Sequence, residues 1–162
     1  MPVRLPRAQR ERFLDGRHVA VLVTLAEDGT PVPTPIWYRY RDGLLYFRTA
    51  TDAVKAENVR RDPRVSVCIQ EERPPYKAVI VYGKAELREG DERLAAEIPR
   101  HYLGFFGAIG YQQTARTAIE AGAGEIVLVV TPERYASFDF GPETPWYGKL
   151  WLMMRRVLPP WL

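Results

Sequence analysis

The chain has 162 residues, of which 46% are hydrophobic, and this length suits one domain with a substantial core. The formal charge of +3, from 23 Lys and Arg against 20 Asp and Glu, is too small for the strongly basic domains typical of nucleic-acid binding, so no nucleic-acid partner is expected. A single cysteine, Cys68, excludes an intramolecular disulfide framework and any zinc site built from several cysteines.

The first predicted elements along the chain are three strands joined by tight turns. Residues 18–26 are rich in β-branched side chains and form a run too short for a helix. The turns at 27–30 and at Asp42-Gly43 contain glycine, which adopts positive φ without a steric penalty. Residues 32–41 and 44–49 supply the second and third strands, so the pattern predicts an antiparallel meander.

The second of these strands carries prolines at alternate positions, Pro31, Pro33 and Pro35. Alternate residues of a strand direct their N–H groups toward the same neighbour, and proline has no N–H to donate. One side of this strand therefore cannot form a continuous ladder. Two interpretations stay open: the strand is an edge protected against aggregation, or it borders an opening in which a ligand lies.

A short helix is predicted after the third strand. It covers residues 51–62, where Thr51 or Asp52 can cap the N-terminus and Asp62-Pro63 ends the helix. Residues 64–70 alternate and are β-branched, which predicts a fourth strand.

The second half of the chain predicts one long strand, helices and two further strands. The long strand covers residues 76–87, with Gly83 as a bulge or a point of close contact. An amphipathic helix over 91–102 precedes a glycine-punctuated connection, 103–123, with another helix near 112–121. The last strands are at residues 125–131 and 135–140. About six or seven antiparallel strands with peripheral helices predict a mainly β (α+β) fold, a small β-barrel.

The strongest candidate for chemistry is an anion-binding constellation at residues 48–55. A strand ends here and a helix begins, so free backbone N–H groups and the positive end of the helix point outward. Thr49 and Thr51 can place both hydroxyls on one side, and Lys55 lies one helical turn beyond Thr51. Together they would suit a phosphate, whereas Asp52 would have to face outward. The alternative is an ordinary capped helix with a solvated lysine.

Other catalytic arrangements do not emerge from the sequence. His18 and His101 stand far apart, with no spacing typical of metal ligands, and Cys68 lies in an apolar strand that favours a buried, inert thiol. No P-loop and no GxGxxG motif is present. We therefore expect no metal site and no enzyme whose chemistry depends on its own nucleophile.

A second feature is the aromatic pair Trp37 and Tyr38 on the proline-containing strand. Adjacent residues of a strand point to opposite faces, so at most one of the two rings belongs plainly to the core. The other could lie along a planar ligand or form an ordinary surface or dimer contact.

Three sequence blocks together resemble one family: PIWYRYRDGLLYFRT at 35–49, TDAVKAENVRRDPRVSVCI at 51–69 and YKAVIVYGKAEL at 76–87. They resemble the pyridoxamine 5'-phosphate oxidase-like, FMN-binding split-barrel flavoproteins. Within that family, the WY pair and the NVRRDPRVSV run look most like the branch that contains deazaflavin (coenzyme F420)-dependent reductases. The resemblance implies a split barrel that forms a homodimer, with the cofactor in a groove at the subunit interface.

The resemblance also implies roles for individual residues. Thr49, Thr51 and Lys55 would hold the phosphate of the cofactor, with Ala50 in the same loop. The backbone at the aromatic pair would border the cofactor ring, through Pro35, Ile36, Trp37 and Tyr38.

The rest of the pocket is less closely defined by the resemblance. Tyr76 and Lys77, at the start of the long strand, or the C-terminal region of the partner subunit would complete it. Arg48 and Lys77 are among the basic groups available for the acidic tail of coenzyme F420, as are Arg60 and Arg61, which could instead solvate the end of a helix.

The expected function is that of an oxidoreductase that uses FMN or coenzyme F420 to transfer hydride or electrons to or from a small organic substrate. The alternative is a non-catalytic split-barrel protein that binds flavin, haem or a tetrapyrrole. The C-terminal substrate contacts of a true pyridoxamine phosphate oxidase, a paired Arg and Trp, are not recognisable, so oxidation of vitamin B6 is not expected.

The C-terminal tail differs from the rest of the chain. We expect a cofactor-binding domain over residues 1–143 and a basic aromatic tail over 144–162, which holds three basic residues and no acidic one. The tail predicts a short helix, stopped by Pro159-Pro160, that packs on the domain or the dimer in preference to a membrane surface. Because the N-terminus lacks the apolar run of a signal peptide and no run of about 18 apolar residues occurs, we expect a cytoplasmic protein.

Overall fold

The structure is a computed structural model that describes residues 4–89, 92–120, 124–142 and 145–155. Four helices and seven strands are described, in the chain order α1 (Arg7–Leu14), β1 (Ala20–Leu25), β2 (Pro31–Ile36), β3 (Tyr38–Arg41), β4 (Leu44–Ala50), α2 (Val54–Arg61), β5 (Arg64–Gln70), β6 (Lys77–Arg88), α3 (Glu92–Glu120), β7 (Glu125–Asp139) and α4 (Trp146–Arg155). All paired strands are antiparallel, in one sheet with the order β2-β1-β5-β6-β7-β4-β3. The prediction of a mainly β fold with antiparallel strands and peripheral helices is confirmed.

The chain path forces the sheet to curl. Strands β2 and β3 are at opposite edges of the sheet, yet only Trp37 separates them along the chain. A flat sheet of seven strands would hold its edges about 29 Å apart, at about 4.8 Å per neighbouring pair. Two residues of extended chain span only about 7 Å. The sheet must therefore bend into a half-barrel whose two edges meet near Trp37.

The proline-containing strand lies at an edge, as one of the two interpretations predicted. Strand β2 pairs with β1, while the chain beyond Trp37 changes partner and pairs with β4. If the register of β3 and β4 continued, Ile36 would face Thr49 and Pro35 would face Ala50. The chain leaves β4 at this point, where the prolines remove the N–H donors that a continued ladder would need. The barrel is consequently split between β2 and the end of β4.

The main core fills the inside of the curled sheet. Its largest fully buried side chains come from several strands and from α1, and include Leu14, Leu22, Tyr38, Phe47 and Leu128. Helix α1, an addition to the elements predicted from sequence, contributes Leu14 as its one buried residue. The helix closes the core from one side, and the hydroxyl of Tyr38 donates a 2.8 Å hydrogen bond to the Leu14 carbonyl oxygen.

A smaller core lies on the outer face of the sheet. Tyr46 of β4 packs there with Val127 and Val129 of β7, and Leu94 of α3 covers them. Since residues of a strand alternate between faces, Tyr46 and Arg48 share this outer face while Phe47 and Thr49 face inward. Helix α3 thus covers the side of β4 that carries Arg48.

The second half of the chain differs from the prediction in two places. A helix begins at Glu92 and is interrupted at Gly104, two residues beyond the predicted end at 102, but the chain is helical again from there to Glu120, where a glycine-punctuated connection with a helix near 112–121 was expected. Gly104 interrupts α3, with φ of 70°, a left-handed conformation that glycine adopts readily. The two last predicted strands are one strand, β7, which stays paired with β6 across a register shift at Tyr82 and Gly83.

Helix α4 leaves large apolar side chains exposed. Trp146 is 76% exposed, and Tyr147, Leu150 and Met153 are exposed as well. The predicted stop at Pro159-Pro160 lies outside the described residues. In the described part of the chain, no helix combines the length and the hydropathy that crossing a membrane requires.

Asn58, which is 4% exposed, links α2 to β1 and yields a stability prediction. Its amide nitrogen donates to the Thr24 hydroxyl at 2.9 Å, and its amide oxygen accepts from Arg61 at 2.8 Å. Asn58→Leu should lower the free energy of unfolding by about 1–3 kcal/mol, because the buried Thr24 hydroxyl loses its hydrogen bond. Urea denaturation measures this change. In a double-mutant cycle with Thr24→Val the two losses should be less than additive, and strict additivity would contradict the pairing.

Candidate functional site

The loop from β4 to α2 differs from the prediction at the N-terminus of α2. Helix α2 begins at Val54 with Ala53 as its N-cap, and no side chain caps it, so the prediction of a Thr51 or Asp52 cap is wrong. The reason is local: the Ala53 N–H donates to the Ala50 carbonyl at 3.2 Å, a turn that delays the helix until after Asp52. The first-turn N–H groups therefore have no side-chain acceptor at the positive end of the helix dipole.

Thr51 and Thr49 flank this helix start. Thr49 is 8% exposed and lies two residues beyond the inward-facing Phe47 in β4, so its side chain points to the same face. The Thr51 N–H donates to the Gly124 carbonyl oxygen at 2.9 Å, which ties the loop to the beginning of β7. A Cβ atom at Gly124 would come within 3.2 Å of the Thr51 hydroxyl oxygen. The threonine is thus held in place by a close backbone approach.

Lys55 is a half-buried cation in the first turn of α2. Burial lowers the pKa of its amino group, and no acidic side chain of the described residues pairs with it. A positive charge at the N-terminus of a helix is unfavourable with respect to the helix dipole. A helix start without an acidic cap, next to an unpaired lysine, is an arrangement that an anion would stabilise.

Arg48 is a second incompletely paired cation near the loop. Its side chain is 16% exposed, and its Nη2 forms an ion pair with Glu125 of β7. Its Nη1 is buried and has no hydrogen-bond partner among the described residues. The ring of Tyr111, from the second half of α3, lies with its centroid 5.8 Å from the guanidinium carbon.

The aromatic pair is divided between the two faces, as predicted. Tyr38 is fully buried, and burial raises the pKa of its phenol, whereas Trp37 is partly exposed on the outer face. The Trp37 ring stacks on Tyr102 at 5.0 Å between centroids and contacts Tyr111 at 5.5 Å. Because its hydroxyl is committed to α1, Tyr38 can contribute only its backbone to a site at the split.

Tyr102 holds the two sides of the split together. Its hydroxyl donates to the His18 carbonyl oxygen at 2.6 Å, just before β1, and accepts from the Tyr38 N–H at 3.3 Å, at the beginning of β3. Tyr102 and Tyr111 were not identified from sequence, and neither was Glu125. The aromatic-rich run HYLGFFGAIGY was the available signal, although it does not indicate which strand the helix covers.

Tyr76 and Lys77 lie elsewhere in the same chain. Tyr76 is 55% exposed beside β6, and Lys77 forms an ion pair with Asp139 at 3.3 Å. Asp139 and Ile126, the partner of Thr49 in the ladder, are at opposite ends of β7. Thirteen residues of extended strand measure up to about 43 Å. Within one chain these two residues are therefore separate from the β4–α2 loop.

Of the two basic residues at the end of α2, Arg61 has structural partners. Arg61 donates to the Leu25 carbonyl oxygen at 3.0 Å and to Asn58 at 2.8 Å. Arg60 is exposed. No group of three or more metal-ligating side chains occurs in the residues that the structure describes.

Comparison with known proteins gives both a family and structural relatives. The family model described as pyridoxamine 5'-phosphate oxidase matches residues 6–137. A conserved hypothetical protein from Mycobacterium tuberculosis is similar in structure, with 25% sequence identity and a TM-score of 0.70 over 86% of this chain and 88% of that one. No curated protein matches the sequence significantly.

Two further structures share the fold at lower identity. One, named F420 reductase, has 21% identity and a TM-score of 0.61, covering 78% of this chain and 94% of its own. The other, a FAD-binding protein from Mesorhizobium loti, has 22% identity and a TM-score of 0.60, covering 85% and 95%.

Proposed function

Because the chain belongs to the pyridoxamine 5'-phosphate oxidase family, whose model spans residues 6–137, we propose that it is an oxidoreductase dependent on a flavin or deazaflavin. The cofactor is FMN or coenzyme F420, and the substrate is a small organic molecule. The names of two structures with the same fold, an F420 reductase and a FAD-binding protein, support this cofactor class.

The observation that carries the proposal is the unpaired, half-buried Lys55 at a helix start without a side-chain cap. A phosphate there would accept hydrogen bonds from the free N–H groups and offset the lysine charge. Thr49 and Thr51 supply hydroxyls on the strand side of the same loop. The residues present therefore fit the phosphate end of either cofactor.

The bound cofactor would supply the hydride or electron transfer, and the protein would bind, orient and shield it. At the split between β2 and β4, Pro35 and Ile36 pair with β1 along one edge of β2, while their other edge has no strand partner among the described residues. Trp37, held by its stack on Tyr102, would exclude water at the outer end of this opening. The protein side chains then need no acid–base dyad of their own.

We favour coenzyme F420 over FMN, because its acidic tail calls for basic groups beyond the phosphate site, and the exposed Arg60 at the end of α2 is one such group. Titration of the purified full-length protein with each cofactor, followed by fluorescence, decides between them. Tight binding of FMN without binding of F420 would reverse this preference. Binding without turnover of any reducible substrate would support the non-catalytic alternative.

Lys55→Ala should weaken binding of either cofactor by about 1.5–3 kcal/mol, roughly 10- to 100-fold in Kd, because one charge-assisted contact to the phosphate is lost. Equilibrium titration measures the change. Lys84→Ala is the matched control, since Lys84 is an exposed lysine of β6 that pairs with Glu133. An unchanged Kd for Lys55→Ala would remove this lysine from the site.

We also propose that the protein is a homodimer with its cofactor at the subunit interface. Apolar side chains on α3 and α4 are exposed in the single chain: Leu103, Phe105, Phe106, Ile109, Trp146, Tyr147, Leu150 and Met153. Exposed clusters of this kind typically mark interaction surfaces. The partner would complete the pocket with groups such as Tyr76 and Lys77, which lie apart from the loop of their own chain.

Sedimentation should give twice the mass of one chain. Phe106 is the most exposed of these side chains at 86%, so Phe106→Glu should shift the equilibrium toward the monomer by placing a charge in the interface. Glu27→Lys, in the exposed turn after β1, serves as the control and should leave the mass unchanged. A monomeric wild-type protein would contradict the dimer.

A further inference from the structure

The guanidinium of Arg48 is buried and only half satisfied. Nη2 is used by Glu125, but Nη1 has no acceptor among the described residues and no contact with water. Burying an N–H without a partner costs free energy, so such an atom in a folded protein calls for an explanation. The ion pair with Glu125 does not provide it, because that pair occupies the other nitrogen.

Aromatic side chains lie near the guanidinium of Arg48. Tyr38 is the first residue of β3 paired with β4, opposite Phe47, so extending this register by one residue would bring Trp37 opposite Arg48. Tyr111 contacts the Trp37 ring at 5.5 Å and lies 5.8 Å from the guanidinium carbon. A donor held near a pair of contacting aromatic rings suits a planar heterocycle with an oxygen acceptor on its edge.

We propose that Arg48 is a specificity-determining residue, whose Nη1–H donates to a carbonyl oxygen on the ring system of the ligand. This inference rests on the proposed function and divides the site in two. Lys55 and the start of α2 recognise the phosphate, whereas Arg48, beside Trp37, recognises the ring. Glu125 orients the guanidinium by holding Nη2.

The segment of α3 that carries Tyr111 buries few side chains. Tyr111 lies beyond Gly104, where α3 is interrupted, and is itself 40% exposed. Between 103 and 111, Ala108 is the only buried residue that the structure describes. Because Nη1 is buried, a ligand oxygen reaches it only after a side chain moves aside. Tyr111, whose ring lies 5.8 Å from the guanidinium carbon, is the side chain that we expect to move, since little apolar burial opposes its movement.

The test compares ligands with and without phosphate. FMN and riboflavin, or coenzyme F420 and its phosphate-free riboside, are titrated against wild-type protein, Arg48→Gln and Lys55→Gln. Arg48→Gln should weaken binding of both members of a pair by about 10-fold or more, because each carries the same ring. Lys55→Gln should weaken only the member that carries phosphate.

Glu125→Gln separates recognition from a structural role. It breaks the ion pair but keeps the Nη1 donor, so it should bind both ligands within about 3-fold of wild type, a difference too small for a lost charge-assisted bond. Arg48→Lys keeps a charge for Glu125 but lacks the second nitrogen, and it should show the same loss as Arg48→Gln. It also provides the measurement if Arg48→Gln does not fold.

Several results would overturn the proposal. These are wild-type affinity in both Arg48 variants, a loss confined to the phosphate-bearing ligand, or an equal loss in Glu125→Gln. Failure of the wild-type protein to bind any of the four ligands would instead remove the proposed function, and this inference with it.

Discussion

Replacing Tyr38 by alanine should lower the free energy of unfolding by about 3–5 kcal/mol, the range typical of removing a buried aromatic side chain. The ring is fully buried and lies 6.2 Å from the ring of Phe47, between centroids. Its hydroxyl also joins the barrel to α1 through the Leu14 carbonyl oxygen. The substitution therefore creates a cavity in the main core and leaves a buried carbonyl without its donor.

Two controls separate these causes. Tyr38→Phe keeps the ring and loses only the hydrogen bond, so it should cost about 1 kcal/mol. Tyr147→Ala removes the same side chain from a position on α4 that is 63% exposed, and it should change the stability of the barrel little. Urea denaturation followed by circular dichroism measures all three. A Tyr38→Ala protein as stable as Tyr38→Phe would contradict the packing, and Tyr38→Phe remains measurable if the alanine variant does not fold.

The strands were predictable from sequence because their signals are local. The turn at Asp42-Gly43 and the alternation within 64–70 depend on neighbouring residues only, and both predictions are confirmed by the hairpin of β3 and β4 and by β5. The prolines of β2 also act locally, since each removes a donor whatever the fold around it. This explains why an edge strand was one of the two interpretations available without a structure.

The division between β2 and β3 could not be predicted in the same way. Residues 32–41 have the pattern of one strand, and nothing in that pattern indicates that the chain changes its neighbour at Trp37. The change depends on β1 and β4, which lie near opposite edges of the sheet and each pair with one half of this segment. Such pairing between distant parts of the chain overrides local propensity.

The candidate site shows the same contrast. The loop over residues 48–55 is contiguous, so the spacing of its residues was enough to predict an anion site there. The partners of Arg48 could not, because Glu125 and Tyr111 reach it through strand pairing and through a helix that continues past a glycine. The error in the predicted N-cap has a local cause. A turn at Ala50–Ala53 satisfies the backbone itself, and the N-cap is Ala53, one or two residues later than the side chains predict.

Gly83 was predicted as a bulge or a point of close contact, and the structure makes it both. The register of β6 against β7 shifts between Tyr82 and Gly83. A Cβ atom at Gly83 would come closer than 3.0 Å to the Thr131 carbonyl oxygen and 3.1 Å from the Cα of Pro132. Both are backbone atoms of β7, so no side-chain rotation can relieve the contact.

Gly83→Ala should therefore lower the free energy of unfolding by about 3 kcal/mol, at the upper end of the cost of overpacking, because two paired strands must separate locally. Gly110→Ala is the matched control: no heavy atom lies within 4 Å of its added Cβ, and the residue is in α3. There the methyl group should be neutral or stabilise by up to about 1 kcal/mol, the helix propensity of alanine over glycine. The same urea titration compares the two variants. Equal stability would mean that β7 can move away from Gly83 at no cost, and the bulge would then be an irregularity that the barrel does not need.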